Sequence, residues 1–474
     1  MAKKLQMCGT EEEMREVAAR ICRNYLHGAW KSVEPSQLEF RRISGGLSNF
    51  LYYVALPEDG GRARPAYSPR DSSPEADAPE TAASRLLKKT FARSNSFTME
   101  EPRKVLLRIY GQVHGERAMD AIVTESVIFT LLSERRLGPR LHGVFSGGRI
   151  EEYIPARPLL TKELSEPALS MKIAEKMAAI HSMDVPLSKG SNWLWKTMGK
   201  WLNTVKEERL AIKSVVGKNE DENRIIKRLK NIDFDKEIEW LKRYIATVDS
   251  PVVFCHNDMQ EGNILLLEDV VLTSNDDDVL QSFDAPAAVT EGTSHTRSYL
   301  DTLAHFDDAN TSDSVCSRVS DNGEPRLVLI DFEYCAYNHR GFDIANHFQE
   351  WMYDYTNPTH PCYFEVPENC PTLEQKEIFI REYLKHYMSN VSDQHHSPTI
   401  DEVNHLLTEV DAFALASHLF WCLWSIVNAS KSQIPFGYWE YAVSRLDSYL
   451  RLKQEVVKEA SGRPQKRKIC EVDI

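Results

Sequence analysis

The chain has 474 residues, 42% of them hydrophobic, with nine Trp and a formal net charge of -13. That length exceeds one compact core, so two lobes with some unpacked sequence are expected. The negative balance excludes a nucleic-acid binder, which needs a basic surface. The nine scattered cysteines hold no CxxC pair, which excludes a disulfide framework or thiolate metal cluster and fits a reduced intracellular protein.

The first 23 residues are charged and hold no apolar core, so they do not read as a secretory signal. Apolar and charged residues alternate with helical spacing over 11–30, predicting an amphipathic helix. Residues 38–43, 49–56 and 104–110 read as strands. Between the last two, 58–101 is rich in Pro, Ser, Ala and Arg and predicts a disordered insertion in a hairpin connection. A helix is expected over 119–133, then two short strands within 144–153 around Gly147-Gly148. Ile154-Pro155-Ala156-Arg157-Pro158 reads as a hinge. Beyond it helices are expected over 170–183, 192–213, 222–248, 372–388, 400–430 and 438–458. Two short strands interrupt them, one on each side of a second insertion, 268–325. That segment holds thirteen acidic residues against only Arg297 and Arg318, which predicts disorder, with a regulatory acidic loop as the alternative. Residues 412–429 are apolar and barely long enough to cross a membrane; Ser417, His418, Ser425 and Asn428 make them a buried core helix instead. The fold class is therefore α+β, with a small β-rich lobe (1–153), a larger, mostly helical lobe (154–460) and a basic tail (461–474).

Two stretches carry the chemistry. His256-Asn257-Asp258-Met259-Gln260-Glu261-Gly262-Asn263 follows the apolar run Val252-Val253-Phe254-Cys255, and Asp331-Phe332-Glu333 follows Leu327-Val328-Leu329-Ile330. Each puts an acid at the end of a buried-looking strand. Phosphoryl transfer asks for one Asp to orient and deprotonate a hydroxyl, and for an Asn and a second Asp to hold Mg2+ on ATP. Asp258 is the candidate base; Asn263 and Asp331 are oxygen donors suited to Mg2+. His256 reads as a structural hydrogen-bonding residue. Asp258 and Asp331 lie 73 positions apart, and without the 58 residues of the second insertion 15 remain, a short loop joining two strands of a hairpin. The two acids are thus expected side by side at the mouth of one cleft.

Ser44-Gly45-Gly46-Leu47-Ser48-Asn49 lies between two strands, where paired glycines let backbone approach phosphates. Arg108 sits midway along an apolar strand and needs an anionic partner. Glu125, seventeen residues on in the next helix, is the expected one, leaving Arg108 to reach the phosphates. Aromatic residues gather late in the chain. Trp421 and Trp424 share a helix face, Tyr438 and Tyr441 follow Ile434-Pro435-Phe436-Gly437, and Trp351, Tyr353 and Tyr355 flank Glu350 and Asp354. Such rings are either core or, facing a carboxylate, a box for a quaternary ammonium, which cannot donate hydrogen bonds.

Three blocks resemble the choline/ethanolamine kinase family over about residues 18–451, the insertions apart. Val253-Phe254-Cys255-His256-Asn257-Asp258 through Asn263-Ile264-Leu265-Leu266 is similar to its phosphotransferase motif. Leu329-Ile330-Asp331-Phe332-Glu333-Tyr334 through Gly341-Phe342-Asp343-Ile344-Ala345-Asn346-His347 and Glu350-Trp351 is similar to its choline kinase motif. Phe413-Ala414-Leu415-Ala416-Ser417-His418 through Trp421, Trp424 and Phe436-Gly437-Tyr438 is similar to its C-terminal signature.

The resemblance implies a two-lobed protein-kinase-like fold. It implies Mg2+-dependent transfer from ATP to choline, the first step of phosphatidylcholine synthesis by the cytidine nucleotide route, with weaker action on ethanolamine. It implies a cytoplasmic homodimer without stable membrane insertion. By the same resemblance Asp258 is the base, Asn263 and Asp331 serve the metal, and Arg108 and Glu125 support catalysis. Nucleotide contacts fall on Ser44, Gly45, Gly46, Leu47, Ser48, Asn49, Phe50, Arg108, Glu152, Tyr153, Ile154, Pro155, Ala156, Arg157, Pro158, Gln260 and Asp331. Choline contacts fall on Glu333, Tyr334, Glu350, Tyr355, Trp421, Trp424 and Tyr441. Ser44 stands where the family pattern has Arg, and Glu152 where it has Gln; the acidic insertion is long for the family.

Three alternatives stay open. An ethanolamine kinase needs hydrogen-bond acceptors for a primary ammonium, and Trp421 and Trp424 favour choline over it. An aminoglycoside phosphotransferase needs many acids along an open cleft. A non-catalytic scaffold would lack one of Asp258, Asn263 and Asp331, and all three are present.

Overall fold

The computed structural model describes residues 10–43, 49–57, 101–110, 116–211, 217, 219–267, 326–392, 396–432 and 434–462. The glycine pair and its neighbours (44–48), nearly all of the first insertion, all of the second, and the basic tail beyond 462 lie outside them. The chain divides into two compact units.

Of the described residues, the first unit takes in 10–40, 54–57 and 101–105. Its helix α1 (Glu11–Tyr25) opens on a capping box in which Thr10 and Glu13 satisfy each other's backbone N–H. The helix stops short of the predicted end because Leu26 is extended and Gly28 takes a left-handed φ of +54°. A Cβ at Gly28 would run into the Glu101 carboxylate, so the turn requires glycine. Ala18, Ala19, Ile21 and Cys22 bury one face of α1, and buried Trp30 donates its Nε1–H to the Pro102 carbonyl at 2.7 Å.

The second takes in the described residues of 41–53, 106–267 and 326–462. It holds most of a five-stranded sheet in the order β1-β2-β3-β5-β4, formed by β1 (Glu39–Ile43), β2 (Asn49–Ala55), β3 (Lys104–Tyr110), β4 (Leu141–Phe145) and β5 (Gly148–Glu152). Helix α2 (Glu116–Glu134) joins β3 to β4. The β4–β5 hairpin turns at Gly147, with φ +104°, as the glycine pair predicts. Past the hinge, β6 (Ala156–Pro158) pairs with β8 (Ile264–Leu267), and β8 pairs antiparallel with β9 (Leu327–Leu329) from the far side of the second insertion. The strand before Asp258, β7 (Val252–Cys255), pairs instead with β10 (Ala336–His339). The expected hairpin between the strands preceding the two acids is therefore two ladders. The turn from 256 to 263 puts β8, not β7, beside β9.

Helices build the rest: α3 (Pro167–His181), α4 (Trp193–Ala211), α5 (Glu220–Lys230), α6 (Phe234–Ile245), α7 (Arg340–Glu350), α8 (Leu373–Ser392), α9 (Ile400–Lys431) and α10 (Tyr438–Gly462). The single helix expected over 222–248 is two. Asp233 breaks it by accepting from Lys236 N as an N-cap, and the new turn drives Phe234 into the core at 1% exposure. Helix α7 lies outside the predicted elements; its polar residues mimic a solvent face, yet every one of its residues is buried. Helix α9 is long and apolar enough to span a membrane, but 89% of its most apolar window is buried inside the protein. It is the central core helix, as its polar residues indicated.

Candidate active site

The turn after β7 is lashed to α7. Asp343, fully buried, accepts His256 N and Asn257 N at 2.8 Å each, and its Oδ2 meets His181 Nε2 at 3.0 Å. Burial opposes its ionisation, but the hydrogen bond and charge of His181 and the proximity of His256 outweigh this and hold Asp343 below the usual carboxylate range. Asn257 takes a left-handed φ of +65°; its side chain donates to Tyr334 O at 3.0 Å and accepts from Asn338 Nδ2 at 2.8 Å. His347 holds Met259 O at 2.8 Å. His256 reaches Ile330 O at 3.1 Å, which gives it the structural role its position suggested. Asp343, Asn338 and His347 thus fix the backbone on both sides of Asp258. Asp343 and His347 fall within the family-like motif, but nothing in their sequence context marks this task.

Asn263 donates from Nδ2 to both the carbonyl and Oδ2 of Asp258, each at 2.9 Å. Ile330 N donates to Asn263 O at 3.0 Å, tying the turn to the residues just past β9 that carry Asp331. Asp331 has a left-handed φ of +62°, uncommon outside glycine and the kind of local strain that gathers at functional positions. Burial, and then the carboxylates of Glu350, Asp331 and Glu333, push Asp258 well above the usual carboxylate range, against the Asn263 hydrogen bond. Those carboxylates therefore lie within electrostatic reach of Asp258. Among the described residues, the buried Asp331 Oδ1 atom has no hydrogen-bond partner. A buried unpaired carboxylate oxygen on Asp331, with the Asn263 amide oxygen and a repelling cluster of acids, fits a Mg2+ ion.

Arg108, 4% exposed on β3, finds a different partner from the one expected. Its Nε donates to Glu151 at 2.7 Å, while Glu125 binds Arg149 at 2.6 Å, and Arg149 also binds Glu151 at 2.6 Å. The reason is sheet order: β5, which carries both Arg149 and Glu151, lies beside β3, whereas α2 presents Glu125 to Arg149. The Asp331 carboxylate also favours the charged form of Arg108, so the cation lies within electrostatic reach of the second acid. Arg149 and Glu151 had no signal in the sequence beyond being charges in an apolar strand.

The remaining predicted nucleotide residues are placed as follows. Phe50 lies under Arg42, with the guanidinium 5.1 Å from the ring centroid. Glu152 accepts from Arg140 N at 3.0 Å, Tyr153 packs edge-on against Tyr53 at 4.6 Å, and Ile154 is buried. Arg157 is held by Glu163 at 2.7 Å, so its charge is committed within the hinge; Ala156 and Pro158 flank it on β6. Gln260 caps Gly262 N at 2.9 Å. Ser44, Gly45, Gly46, Leu47 and Ser48 lie outside the described residues.

The rings do come together. Trp421 lies 5.6 Å from Tyr334 and 5.4 Å from Trp424, and Trp424 Nε1 donates to the Tyr334 hydroxyl at 3.0 Å. Trp421 is 6% exposed and donates to Asn346 Oδ1 at 2.6 Å; Asn346 in turn reaches the Asn257 carbonyl at 3.4 Å. Tyr355 donates to Glu350 at 2.7 Å and meets the Tyr441 hydroxyl at 2.9 Å. Burial raises Tyr334, and the charges of Glu333 and then Asp258 raise it further, which places the ring set beside the candidate base. Glu350, the carboxylate expected beside the rings, already has a cation. It is 2% exposed and forms an ion pair with fully buried Arg445, a residue no motif singled out. A carboxylate buried alone is too costly to persist, so a cation had to meet it.

A cavity of about 670 Å³ lies elsewhere in this unit, lined by Tyr244, Gln349, Lys376 and Arg451 among others, and none of the predicted site residues lines it.

An acid–Asn–acid set on strand ends, with a buried Arg near the second acid, defines a phosphotransferase of kinase-like fold. The choline/ethanolamine kinase family model matches residues 40–450, and the chain belongs to that family. It is 38% identical to a human choline/ethanolamine kinase over 93% of this chain and 86% of that one. It is 34% identical to Caenorhabditis elegans choline kinase A2 over 94% and 87%. Among solved structures, a choline kinase from Cryptosporidium parvum Iowa II aligns with a TM-score of 0.57 at 22% identity, covering 94% of this chain and 97% of that one. That likeness bears out the fold, α+β with a small β-rich lobe and a larger helical one.

Proposed function

We propose that the chain transfers the γ-phosphoryl group of ATP to the hydroxyl of choline, giving phosphocholine and ADP, and acts more weakly on ethanolamine. The observation that carries this reading is the junction of two arrangements. Asp258 sits against Asn263 and near Asp331, and the ring set of Tyr334, Trp421 and Trp424 lies beside it. The names of the relatives support it as well.

Asp258 aligns the substrate hydroxyl and takes its proton as the oxygen attacks the γ-phosphorus and the bond to the bridging β–γ oxygen breaks. Asn263 fixes the Asp258 carboxylate and, with Asp331, would hold Mg2+, which when bound neutralises charge on the phosphates. Arg108, anchored by Glu151, would stabilise the charge on the phosphates. The rings take the trimethylammonium group by cation–π attraction. Family membership supports a role in phosphatidylcholine synthesis, a cytoplasmic homodimer, and lobes at 1–153 and 154–460. The burial of α9 supports the absence of membrane insertion.

The test is ADP release by the purified full chain with ATP and Mg2+ against choline, ethanolamine and their mono- and dimethyl intermediates. Choline is expected to give the highest kcat/KM, with ethanolamine lower. Stimulation by none of these amines refutes the reading, and a preference for ethanolamine replaces choline with the rival substrate.

A further inference from the structure

Glu350 and Arg445 meet beside Tyr355 and Tyr441. The Arg445 side chain is fully buried, and one of its terminal nitrogens donates both to Glu350 Oε1 and to the Tyr441 hydroxyl. Its Nε and Nη1 find no hydrogen-bond acceptor among the described residues. They lie against rings instead, with the guanidinium carbon 3.9 Å from the Tyr353 centroid and 4.9 Å from the Tyr441 centroid. The second Glu350 oxygen accepts from the Tyr355 hydroxyl at 2.7 Å. One buried cation therefore holds Glu350, Tyr441 and, through the hydroxyl pair at 2.9 Å, Tyr355 in a single arrangement.

We infer that Arg445 is a specificity-determining, positioning residue for the ammonium group, because it neutralises the buried carboxylate that the ring set holds. This rests on the proposed choline reading. A primary ammonium has three N–H donors and binds best where charged acceptors are free. A quaternary ammonium has none, and is held by ring faces that need no free anion. With Glu350 already paired to Arg445, ring faces dominate and the methylated substrate is favoured. Removing the guanidinium leaves Glu350 as a buried carboxylate whose charge a bound ammonium has to compensate. Both ammonium groups feel that charge, but only the primary one gains charge-assisted hydrogen bonds from it.

The experiment measures kcat and KM for choline and ethanolamine in the full chain and its variants. Arg445→Met is expected to raise the ethanolamine-to-choline ratio of kcat/KM by about tenfold, the worth of one hydrogen bond to a charged group. The shift should fall chiefly on KM. Arg445→Lys keeps the charge and should leave the ratio near that of the wild type. Glu350→Gln/Arg445→Met, in which both charges are gone, should bring the ratio back. A merely structural Arg445 would lower kcat/KM for both amines by one factor, and that result overturns the inference. If Arg445→Met is insoluble, Glu350→Gln decides. It leaves the guanidinium uncompensated beside the bound cation, so choline KM should rise about tenfold and the double variant should relieve it; equal impairment of single and double variants overturns the inference. An inactive wild type sinks the functional reading itself, whereas an active wild type with an unmoved ratio in Arg445→Met sinks only the role of Arg445.

Discussion

Asp343→Asn tests how the site is held. The replacement keeps the shape of the side chain and removes its charge. Asp343 Oδ1 accepts Asn257 N at 2.8 Å, and Oδ2 accepts His256 N at 2.8 Å beside His181 Nε2 at 3.0 Å. Whichever way the new amide faces, its NH2 confronts a backbone N–H, and one buried donor loses its acceptor. A hydrogen bond to a charged group contributes about 1.5–3 kcal/mol, and leaving a buried donor unpaired costs about 1–3 kcal/mol. These overlap, so a loss of about 2–4 kcal/mol is expected, measured by urea unfolding at neutral pH. The bonded amides are those of the two residues before Asp258, so kcat should also fall, by about tenfold to a hundredfold for a displacement near 1 Å. The pH dependence supplies a second check. Because the carboxyl is held below the usual range, its contribution is present above the unfolded value near 3.9 and is lost as pH falls through the folded value. Wild type and variant should therefore differ by a constant amount above about pH 4 and converge below it. A stability loss under about 0.5 kcal/mol with unchanged kcat would refute the claim that Asp343 holds the turn.

Asp258→Asn should lower kcat by about 10²–10⁴ while ATP still binds in a fluorescence titration; near-normal turnover removes Asp258 from the proton-accepting role. Asp331→Ala should lose turnover that added Mg2+ does not restore, and full activity at high Mg2+ would show that its unpaired Oδ1 is not a metal ligand. Arg340→Met breaks a buried pair in which Arg340 reaches Glu409 at 2.6 Å, and leaves a fully buried carboxylate without its guanidinium. Unfolding should show a loss of about 3–5 kcal/mol, and a loss below about 1 kcal/mol contradicts the pairing. Burial lowers His347 to about 4, so it is neutral in the fold while the unfolded chain takes up a proton from about pH 6.5 downward. Stability should thus be complete above pH 6.5 and decline toward pH 4 at about 1.4 kcal/mol per pH unit from this group, a slope that His347→Gln should lack. Equal slopes in wild type and variant over that range would place His347 in contact with water.

What was legible in the sequence was what is decided locally. Residues 104–110 form a strand with the predicted ends because the run is apolar and β-prone, and burial of Val105, Leu107 and Ile109 follows from it. Gly147 could be assigned a turn because its conformation favours glycine. Helix α7 was hidden for the opposite reason. Its polar residues Arg340, Asp343, Asn346 and His347 look like a solvent face, yet each is buried against a partner elsewhere in the chain. Gly341 at its start reads as a helix breaker. In the fold a Cβ there would press on the Phe413 ring, so the glycine permits the close packing of α7 and α9. The partner of Arg108 was misjudged because proximity in sequence favoured Glu125, while strand order, a long-range property, delivered Glu151.

The site divides along the same line. Asp258, Asn263 and Asp331 could be named because phosphoryl transfer dictates their types and strand ends dictate their places. Residues that act on other residues carry no such mark. Glu350 shows how far reasoning from cost can still go. Its neighbours Phe348, Trp351 and Tyr353 already implied burial, and a buried carboxylate demands a cation. Within the helix that carries Tyr441, Arg445 stands one turn further on, at the i+4 spacing that places two side chains on the same face. A pocket carboxylate that looks available to a ligand should therefore first be paired, on paper, with every cation that shares a helix face with the pocket's rings. Only a carboxylate left over after that pairing is available to attract a substrate.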